Sequence, residues 1–204
     1  MSPLGPLAVC CAALLAIAAS GADARRTGPA RTEPIDMVVI HSTGGPTCDP
    51  QTDQPIWIGA GTLAANVRFI EAHPQLGIHF MIDRDGTVRA GVPEAQTAHH
   101  VFRYSGRSIG IELINDGNGR DPFPETQLSA LVDLLRDIVG RRGLTREGIK
   151  RHSDLDHSLL PCGTSQRRKV DPGEAFPFRS VLDQDFEPTA TRATAAERAG
   201  LRTR

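Results

Sequence analysis

The segment "RHSDLDHSLLPCGTSQRRKVDPG", residues 151–173, contains the highest concentration of side chains that could do chemistry. Its candidates are two histidines, three carboxylates and one lysine, namely His152, Asp154, Asp156, His157, Lys169 and Asp171. Two histidines and a carboxylate can hold a catalytic zinc ion and leave a fourth position open for water. The positions match no compact zinc motif such as H-E-x-x-H, so spacing alone does not choose the ligands.

Two further candidates lie in apolar, strand-like runs. His41 ends the run "DMVVIH", 36–41, and opens into a loop, which is where α/β proteins tend to build sites; a hydrogen-bonded structural histidine is the alternative. Glu112 lies in "IGIEL", 109–113, where alternation places the three apolar residues on one face and Glu112 on the other. A carboxylate on a covered face is costly unless it is paired or used, whereas on a wet face it is a surface residue.

Lysine is rare in this chain, which contains only Lys150 and Lys169 among 23 basic residues. Lys169 comes two residues before an Asp-Pro-Gly turn. A compact ammonium group offers a site something that the broad, planar guanidinium of arginine does not. Lys169 is therefore a candidate for a site rather than for general surface charge.

The elements that must position these residues alternate between strand and helix. "GTLAANVRFIEAHP" begins at the candidate N-cap Thr62 and stops at Pro74, and Asp85-Gly86 marks a hairpin turn. The predicted strands are 36–41, 107–116 and 148–152, the hairpin is 78–92, the helices are 61–74 and 124–143, and 42–55 is a long loop. This order predicts an α/β single domain with a central mixed β-sheet covered by helices.

Composition excludes one class of partner. The formal net charge is -1 and aromatic residues make up only 4% of the chain, so nothing indicates nucleic-acid binding. With 204 residues and 39% hydrophobic content, the chain has the size of one domain. We expect a monomer.

The N-terminus reads as an export signal. "LAVCCAALLAIAAS", residues 7–20, is uncharged, is shorter than the roughly 20 residues that span a bilayer, and is followed by the A-x-A site "ADA" at 22–24. A short membrane anchor is the alternative. We therefore expect a signal peptide over 1–24, a periplasmic or secreted mature chain without a membrane span, a flexible leader over 25–35, a domain over 36–182 and a loose tail over 183–204.

After cleavage the mature chain would keep two cysteines, Cys48 and Cys162. An even count in an oxidising compartment makes a disulfide plausible, and two separate buried thiols are the alternative. Zinc ligation by both is less favoured, because neither belongs to a C-x-x-C pair.

Four separated stretches together resemble a known family. "VVIHSTGG", "GIHFMIDRDGTV", "RSIGIELIND" and "RHSDLDH…RRKVDPGEAFPF", in this order, are similar to the zinc-dependent N-acetylmuramoyl-L-alanine amidases of type 2, a family that includes the peptidoglycan-recognition proteins. The similarity extends from about Asp36 to Phe178. It is specific because several motifs agree in order and spacing.

The resemblance implies roles for individual residues. His41, His152 and Asp171 would bind one Zn²⁺ per chain at the strand ends and adjoining loops, Glu112 would be the general base, and Lys169 would stabilise the oxyanion. His79 matches a family position beside the cleft and would contact substrate, with packing inside the fold as the alternative. His100 aligns with the family histidine of A-W-H-A-G and would also contact substrate. The implied reaction is hydrolysis of the amide bond between N-acetylmuramic acid and L-alanine in peptidoglycan or muramyl-peptides.

This sequence departs from the family at two places. Ile78 stands where many members have the tyrosine of G-Y-H-F, and "AHHVFRYSGRS", 98–108, differs from the A-W-H-A-G of bacterial members, so that His99 replaces its tryptophan. We expect His73 and His157 to lie at the surface and Asp154 to hold the turn behind His152. Non-catalytic peptidoglycan recognition and an unrelated zinc peptidase are the alternative functions, and the complete ligand set favours an amidase.

Overall fold

A five-stranded mixed sheet forms the centre of the structure, a computed structural model that describes residues 28–163 and 165–186. Its order is β5-β4-β6-β1-β7, with β4 and β5 antiparallel and the other neighbours parallel; β2 and β3 form a separate two-stranded ribbon. The strands are β1 (Met37–Ser42), β2 (Gly45–Cys48), β3 (Pro55–Ile58), β4 (Phe80–Ile82), β5 (Val88–Ala90), β6 (Ser108–Leu113) and β7 (Ile149–Arg151). The predicted mixed sheet is confirmed.

Within the described residues, four α-helices accompany the strands: α1 (Leu63–Ala72), α2 (Glu125–Arg142), α3 (His152–Leu155) and α4 (Phe178–Leu182). The Thr62 side chain caps α1 by accepting a hydrogen bond from the backbone N–H of Ala65 at 3.2 Å. Gly143 ends α2 at a φ of 64°, a left-handed conformation that suits glycine. The predicted starts and stops of the two long helices are confirmed to within two residues, while α3 and α4 were not predicted.

The hydrophobic core lies between α2 and one face of the sheet. Alternation along β1 and β6 directs every second side chain to this face, and the i, i+3, i+4 stripe of α2 covers it. The fully buried members include Val38, Ile40, Ile109, Ile111, Leu113, Leu131, Leu135 and Ile138. Because each such side chain stabilises the fold by about 1.5–3 kcal/mol when it is buried, this face fixes the register of the sheet. The residues that alternate with these core residues along β1 and β6 face the other side of the sheet, away from α2.

The predicted long loop over 42–55 is partly wrong. Residues 45–48 form β2, which pairs antiparallel with β3, so that Thr47 lies opposite Ile56. Turn-forming residues dominate β2, so its composition does not predict a strand. The tertiary fold supplies the partner that makes it one.

The predicted flexible leader over 25–35 is corrected from residue 28 onward. The backbone of this segment pairs with the segment around Gln96, and Thr97 N–H donates to Pro29 O at 2.8 Å. The Arg31 guanidinium donates to the carbonyl oxygens of Glu94 (2.6 Å), Gly106 (2.7 Å) and Ser108 (2.7 Å). A side chain that satisfies several backbone carbonyls anchors the segment to the start of β6.

The C-terminal boundary also moves. Phe186 is 8% exposed and belongs to the core, so the domain extends past the predicted limit at 182. The predicted signal peptide and residues 187–204 of the predicted tail lie outside the described residues. Within 28–163 and 165–186, no helix combines the length and apolar character needed to cross a membrane.

Candidate functional site

The site begins with a row of side chains across the carboxyl ends of parallel strands. His41 of β1 lies in register with Glu112 of β6, and Glu112 lies in register with Met81 of β4. These positions alternate with the core residues, so they face away from α2. His152 follows β7 directly, as the first residue of α3. A crevice at the carboxyl ends of parallel strands is where α/β folds bind ligands.

Three potential ligand atoms converge at this edge. His41 Nδ1 lies 2.9 Å from His152 Nδ1 and 3.1 Å from Asp171 Oδ2, and His152 Nδ1 lies 2.9 Å from Asp171 Oδ2. All three residues are buried, at 3%, 3% and 7% exposure respectively. Sequence spacing did not select these three, whereas the family resemblance did, and the structure brings them together.

The arrangement fits a tetrahedral cation such as Zn²⁺. Bonds of about 2.0–2.1 Å to nitrogen and oxygen at tetrahedral angles separate ligand atoms by about 3.3 Å, slightly more than the distances observed here. Protons alone hold such a triangle together poorly, because unprotonated nitrogens and a carboxylate oxygen all present lone pairs. A group of His41, His152 and Asp171 is therefore chemically suited to a metal ion.

Electrostatics keep these groups in the form that a metal needs. Burial and, to a smaller extent, the neighbouring His152 lower the pKa of His41 to about 4, against the opposing effect of Asp171. Burial acts to raise the pKa of Asp171, but the close contacts of its carboxylate with the rings of His152 and His41 outweigh burial and hold that pKa well below its usual range. A neutral imidazole and an ionised carboxylate are the ligand forms that bind zinc.

The loop around Asp171 is fixed by its own backbone. Asp171 O accepts a hydrogen bond from Ser153 N–H at 3.0 Å, which ties the loop to α3. Gly173 has a φ of 92°, and a Cβ built there would lie 2.4 Å from Gly117 O. Only glycine allows this close approach, so the Asp-Pro-Gly turn positions the carboxylate.

Glu112 is a strongly perturbed carboxyl group. Burial and the negative charge of Asp171 raise its pKa to about 8, while Lys169 lowers it. Among the described residues, none donates a hydrogen bond to its carboxylate. A cation at the His41–His152–Asp171 group would offset the charge of Asp171 and favour ionisation. Glu112 therefore has the environment of a general base that titrates near neutral pH.

A cleft of about 630 Å³ opens over the site, with both Glu112 and Lys169 in its lining. Its lining includes the His–His–Asp group and also Phe69 and Ile70 of α1 together with Ile58 of β3. No residue of α1 is buried, and Phe69 is 54% exposed. The cleft thus combines exposed apolar side chains with a cluster of polar, ionisable groups.

The structure corrects the prediction for His79. The ring is 0% exposed and does not line the cleft. Its Nδ1 accepts a hydrogen bond from Gly110 N–H at 3.0 Å, and its Nε2 lies 3.1 Å from Gln96 O. His79 therefore joins β6 to the segment around Gln96. Its side chain stabilises the fold and is not available to contact substrate.

The remaining predicted residues fall into two groups. His100 lines the cleft, so substrate contact stays a prediction, and its Nδ1 also lies 3.0 Å from Nε2 of His41. Asp154 caps α3: its carboxylate accepts from the backbone N–H of Arg151 at 3.1 Å and from its guanidinium at 2.7 Å. This agrees with the predicted structural role. His157 is exposed, and its Nε2 lies 3.2 Å from Asp154 O.

Cys48 and Cys162 form a disulfide. The bond connects β2 to the loop that leads into Lys169 and Asp171, and it spans 114 residues of sequence. It therefore ties together two sides of the cleft, resolving the choice between a disulfide and two free thiols.

A family model described as N-acetylmuramoyl-L-alanine amidase matches residues 31–174. The chain belongs to this amidase family. The 1,6-anhydro-N-acetylmuramyl-L-alanine amidase AmpD of Enterobacter cloacae is 33% identical over 154 residues, covering 69% of this chain and 75% of that protein. The N-acetylmuramoyl-L-alanine amidase AmiD of Escherichia coli (strain K12) is 32% identical over 108 residues, covering 46% of this chain and 36% of that protein.

A solved amidase structure shares the fold. The complex of AmiD from E. coli with anhydro-N-acetylmuramic acid-L-Ala-D-gamma-Glu-L-Lys has a TM-score of 0.57 and 24% identity, covering 77% of this chain and 60% of that one. The family match also begins at Arg31, inside the segment predicted to be a leader. The amidase domain therefore includes the N-terminal segment from residue 31 onward, which the Arg31 side chain anchors to the start of β6.

Sequence reasoning missed Ser108 near the amidase site and named Asp156 only as one of the candidates of the segment 151–173. Ser108 is fully buried, and its hydroxyl lies 3.1 Å from Nε2 of His100. Asp156 Oδ2 lies 3.9 Å from the buried Nε2 of His152, which has no hydrogen-bond partner among the described residues. A serine at a strand start carries no sequence signal for this contact, because the contact depends on the register of three separate segments.

Proposed function

We propose that this chain is a zinc-dependent hydrolase that cleaves the amide bond between N-acetylmuramic acid and L-alanine in peptidoglycan or its fragments. The observation that supports it most is the convergence of His41, His152 and Asp171 beside Glu112, in a member of an amidase family. Both AmpD of E. cloacae and AmiD of E. coli are named as amidases of this bond type.

The proposed mechanism assigns one task to each polar group. A zinc ion held by His41, His152 and Asp171 supplies Lewis-acid chemistry that makes water acidic and polarises a carbonyl. Glu112 accepts the proton of the attacking water and donates it to the leaving nitrogen of L-alanine. The water oxygen thus ends in the lactyl carboxylate, and the stem peptide leaves with a free amine.

Lys169 is assigned to the negative charge that develops on the carbonyl oxygen. It lines the same cleft as Glu112, and its charge acts on both Glu112 and His41. A cation that is already in place where charge develops stabilises the transition state more than the bound substrate. Lys169 is therefore expected to affect kcat more than KM.

The cleft supports a substrate that is partly apolar and partly charged. The apolar side chains of Ile58 and Phe69 in its lining suit the apolar face of a sugar or the lactyl methyl group, and the same lining contains the groups proposed to be catalytic. We further propose that the N-terminal segment exports the chain, and that it acts as a monomer outside the cytoplasm.

Mass spectrometry of purified sacculi and of a soluble muramyl-tripeptide, incubated with the chain, tests this function. We expect stem peptides with a free L-alanine amine and glycan without peptide. A chelator should abolish the products and added zinc should restore them. His41→Ala should lose the zinc, about one ion per chain, that the wild type contains. Cleavage at another bond, or products that persist with full chelation, would contradict the proposal.

Non-catalytic recognition of peptidoglycan remains the second candidate. Its sign would be retention of the muramyl-tripeptide without release of the stem peptide, in the presence of zinc. The intact His–His–Asp group and the perturbed Glu112 favour catalysis, because a binding protein has no need of either.

A further inference from the structure

The hydrogen bonds behind His41 have a direction, and that direction begins at Ser108. The Ser108 hydroxyl lies 2.7 Å from Tyr104 O and 3.1 Å from Nε2 of His100. The shorter contact takes the single hydroxyl proton, so this proton points to Tyr104 O, which also accepts from Arg107 N–H at 3.1 Å. The Ser108 oxygen then presents lone pairs to His100, whose Nε2 must carry a proton and donate.

The same reasoning continues through His100 to His41. With its proton on Nε2, a neutral His100 ring presents the lone pair of Nδ1, which lies 3.0 Å from Nε2 of His41. His41 must therefore donate from Nε2, and its Nδ1 is left unprotonated. This is the atom that lies 2.9 Å from His152 Nδ1 and 3.1 Å from Asp171 Oδ2.

The opposite orientation gives up the shortest contact of the series. If His100 donated from Nδ1 to His41, its Nε2 would need the Ser108 hydroxyl proton, and the 2.7 Å contact of that hydroxyl with Tyr104 O would lose its hydrogen bond. Neither ring nitrogen of His100 contacts a carboxylate in the described part of the chain, so a doubly protonated ring would lack a counter-ion. The favoured arrangement satisfies Ser108 and His100 and leaves the lone pair of His41 Nδ1 beside Asp171 Oδ2, where a cation can join the two atoms.

The fold also leaves room for this relay, by which we mean the hydrogen bonds from His41 to His100 and from His100 to Ser108. A Cβ at Gly110 would lie 2.6 Å from Cγ of His100, so a side chain there would displace the ring. Ser108 is held from behind, because its carbonyl oxygen accepts from the Arg31 guanidinium at 2.7 Å. The ring of His100 packs edge-on against His41, with centroids 5.1 Å apart.

We propose that Ser108 and His100 are positioning residues that fix the tautomer of His41, so that Nδ1 is free to bind the metal ion. This inference rests on the proposed zinc site and extends it. It reassigns His100 from substrate contact to support of a ligand. The outer hydrogen bonds of metal-binding histidines commonly set the tautomer in this way, and their loss costs about 10–100-fold in metal affinity.

Zinc affinity of the purified chain, measured by competition with a chelator, gives the first test. His100→Leu removes the acceptor and Ser108→Ala removes the group that orients it, so both should weaken zinc binding by about 10–100-fold. His100→Asn keeps an acceptor oxygen near the position of Nδ1 and should stay close to wild type. His99→Leu, at the exposed neighbouring histidine, is the matched control and should leave zinc affinity unchanged.

Nitrogen-15 NMR of the histidine rings in the chelated protein gives a readout that general destabilisation would not reproduce. The wild type should show His41 protonated at Nε2, and Ser108→Ala should move population towards the Nδ1-protonated form. The relay is wrong if wild-type His41 is protonated at Nδ1, or if His100→Leu binds zinc as tightly as His100→Asn.

His41→Ala separates failure of the relay from failure of the proposed site. If His41→Ala loses zinc and His100→Leu does not, His41 is a ligand and the relay alone is refuted. If His41→Ala keeps zinc, the ligand set itself is wrong and the relay falls with it.

Discussion

Replacing Glu112 by glutamine should separate activity from stability. The substitution keeps the shape of the side chain but removes the proton acceptor. Activity should therefore fall by about 10²–10⁴-fold, the usual contribution of a general base. The same change should make the chelated protein more stable at neutral pH, because glutamine carries no charge for the half-buried position to disfavour.

The size of the stability gain follows from the pKa of Glu112, which is raised from 4.5 to about 8. Between these values the folded chain binds more protons than the unfolded chain, so wild-type stability falls as the pH rises. At pH 7 the unfavourable difference amounts to about 3 kcal/mol. Glu112→Gln avoids it, so the variant should match wild type below pH 4.5 and exceed it increasingly up to pH 8.

Urea unfolding of both proteins from pH 4 to 8, with chelator and with zinc, measures this gain. Zinc should shrink the difference, because a cation beside Asp171 favours the ionised form of Glu112. Glu71→Gln on the exposed face of α1 is the matched control and should change neither activity nor stability. A Glu112→Gln variant no more stable than wild type at pH 7 in chelator would refute the proposed environment of this carboxylate.

Three further predictions concern a catalytic cation, a buried histidine and the disulfide. Lys169→Ala should keep zinc and lower kcat by about 10²–10³-fold with little change in KM, and Lys169→Arg should recover little of the lost kcat. Lys150→Ala, at the other lysine, is the control and should leave kcat unchanged. An active Lys169→Arg variant would show that positive charge alone is sufficient at this position. Burial lowers the pKa of His79 to about 4, so the unfolded chain binds the extra proton first and stability should fall by up to about 3 kcal/mol as the pH drops from 6.5 to 4. His79→Asn, which keeps an acceptor for Gly110 N–H, should flatten the pH profile of urea unfolding over that range, and an unchanged profile would contradict the shift. Replacing Cys48 and Cys162 by serine should cost about 2–5 kcal/mol in the same assay, because the bond closes a loop of 114 residues; equal stability would show that the bond contributes nothing to folding.

Local pattern was sufficient to predict most of the sheet and both long helices. The alternation in β6 correctly placed its three apolar residues on the core side and Glu112 on the other. The N-cap at Thr62 and the left-handed Gly143 depend on interactions within one turn of the chain, so the sequence contains them. Pattern failed for β2, whose pairing partner is supplied by the fold and not by its own composition.

The candidate site also has features that the sequence predicted and features that only the tertiary structure showed. From the sequence alone came the residue types, the strand that ends at His41, and a family resemblance that selected His152 and Asp171 from a crowded segment. Tertiary structure alone decided that His79 is buried in the scaffold, that Arg31 anchors the N-terminal segment, and that the Ser108 hydroxyl lies beside His100. The physical reason is range: alternation and capping act over a few residues, whereas a hydrogen-bond direction or a buried charge depends on atoms that distant segments bring together.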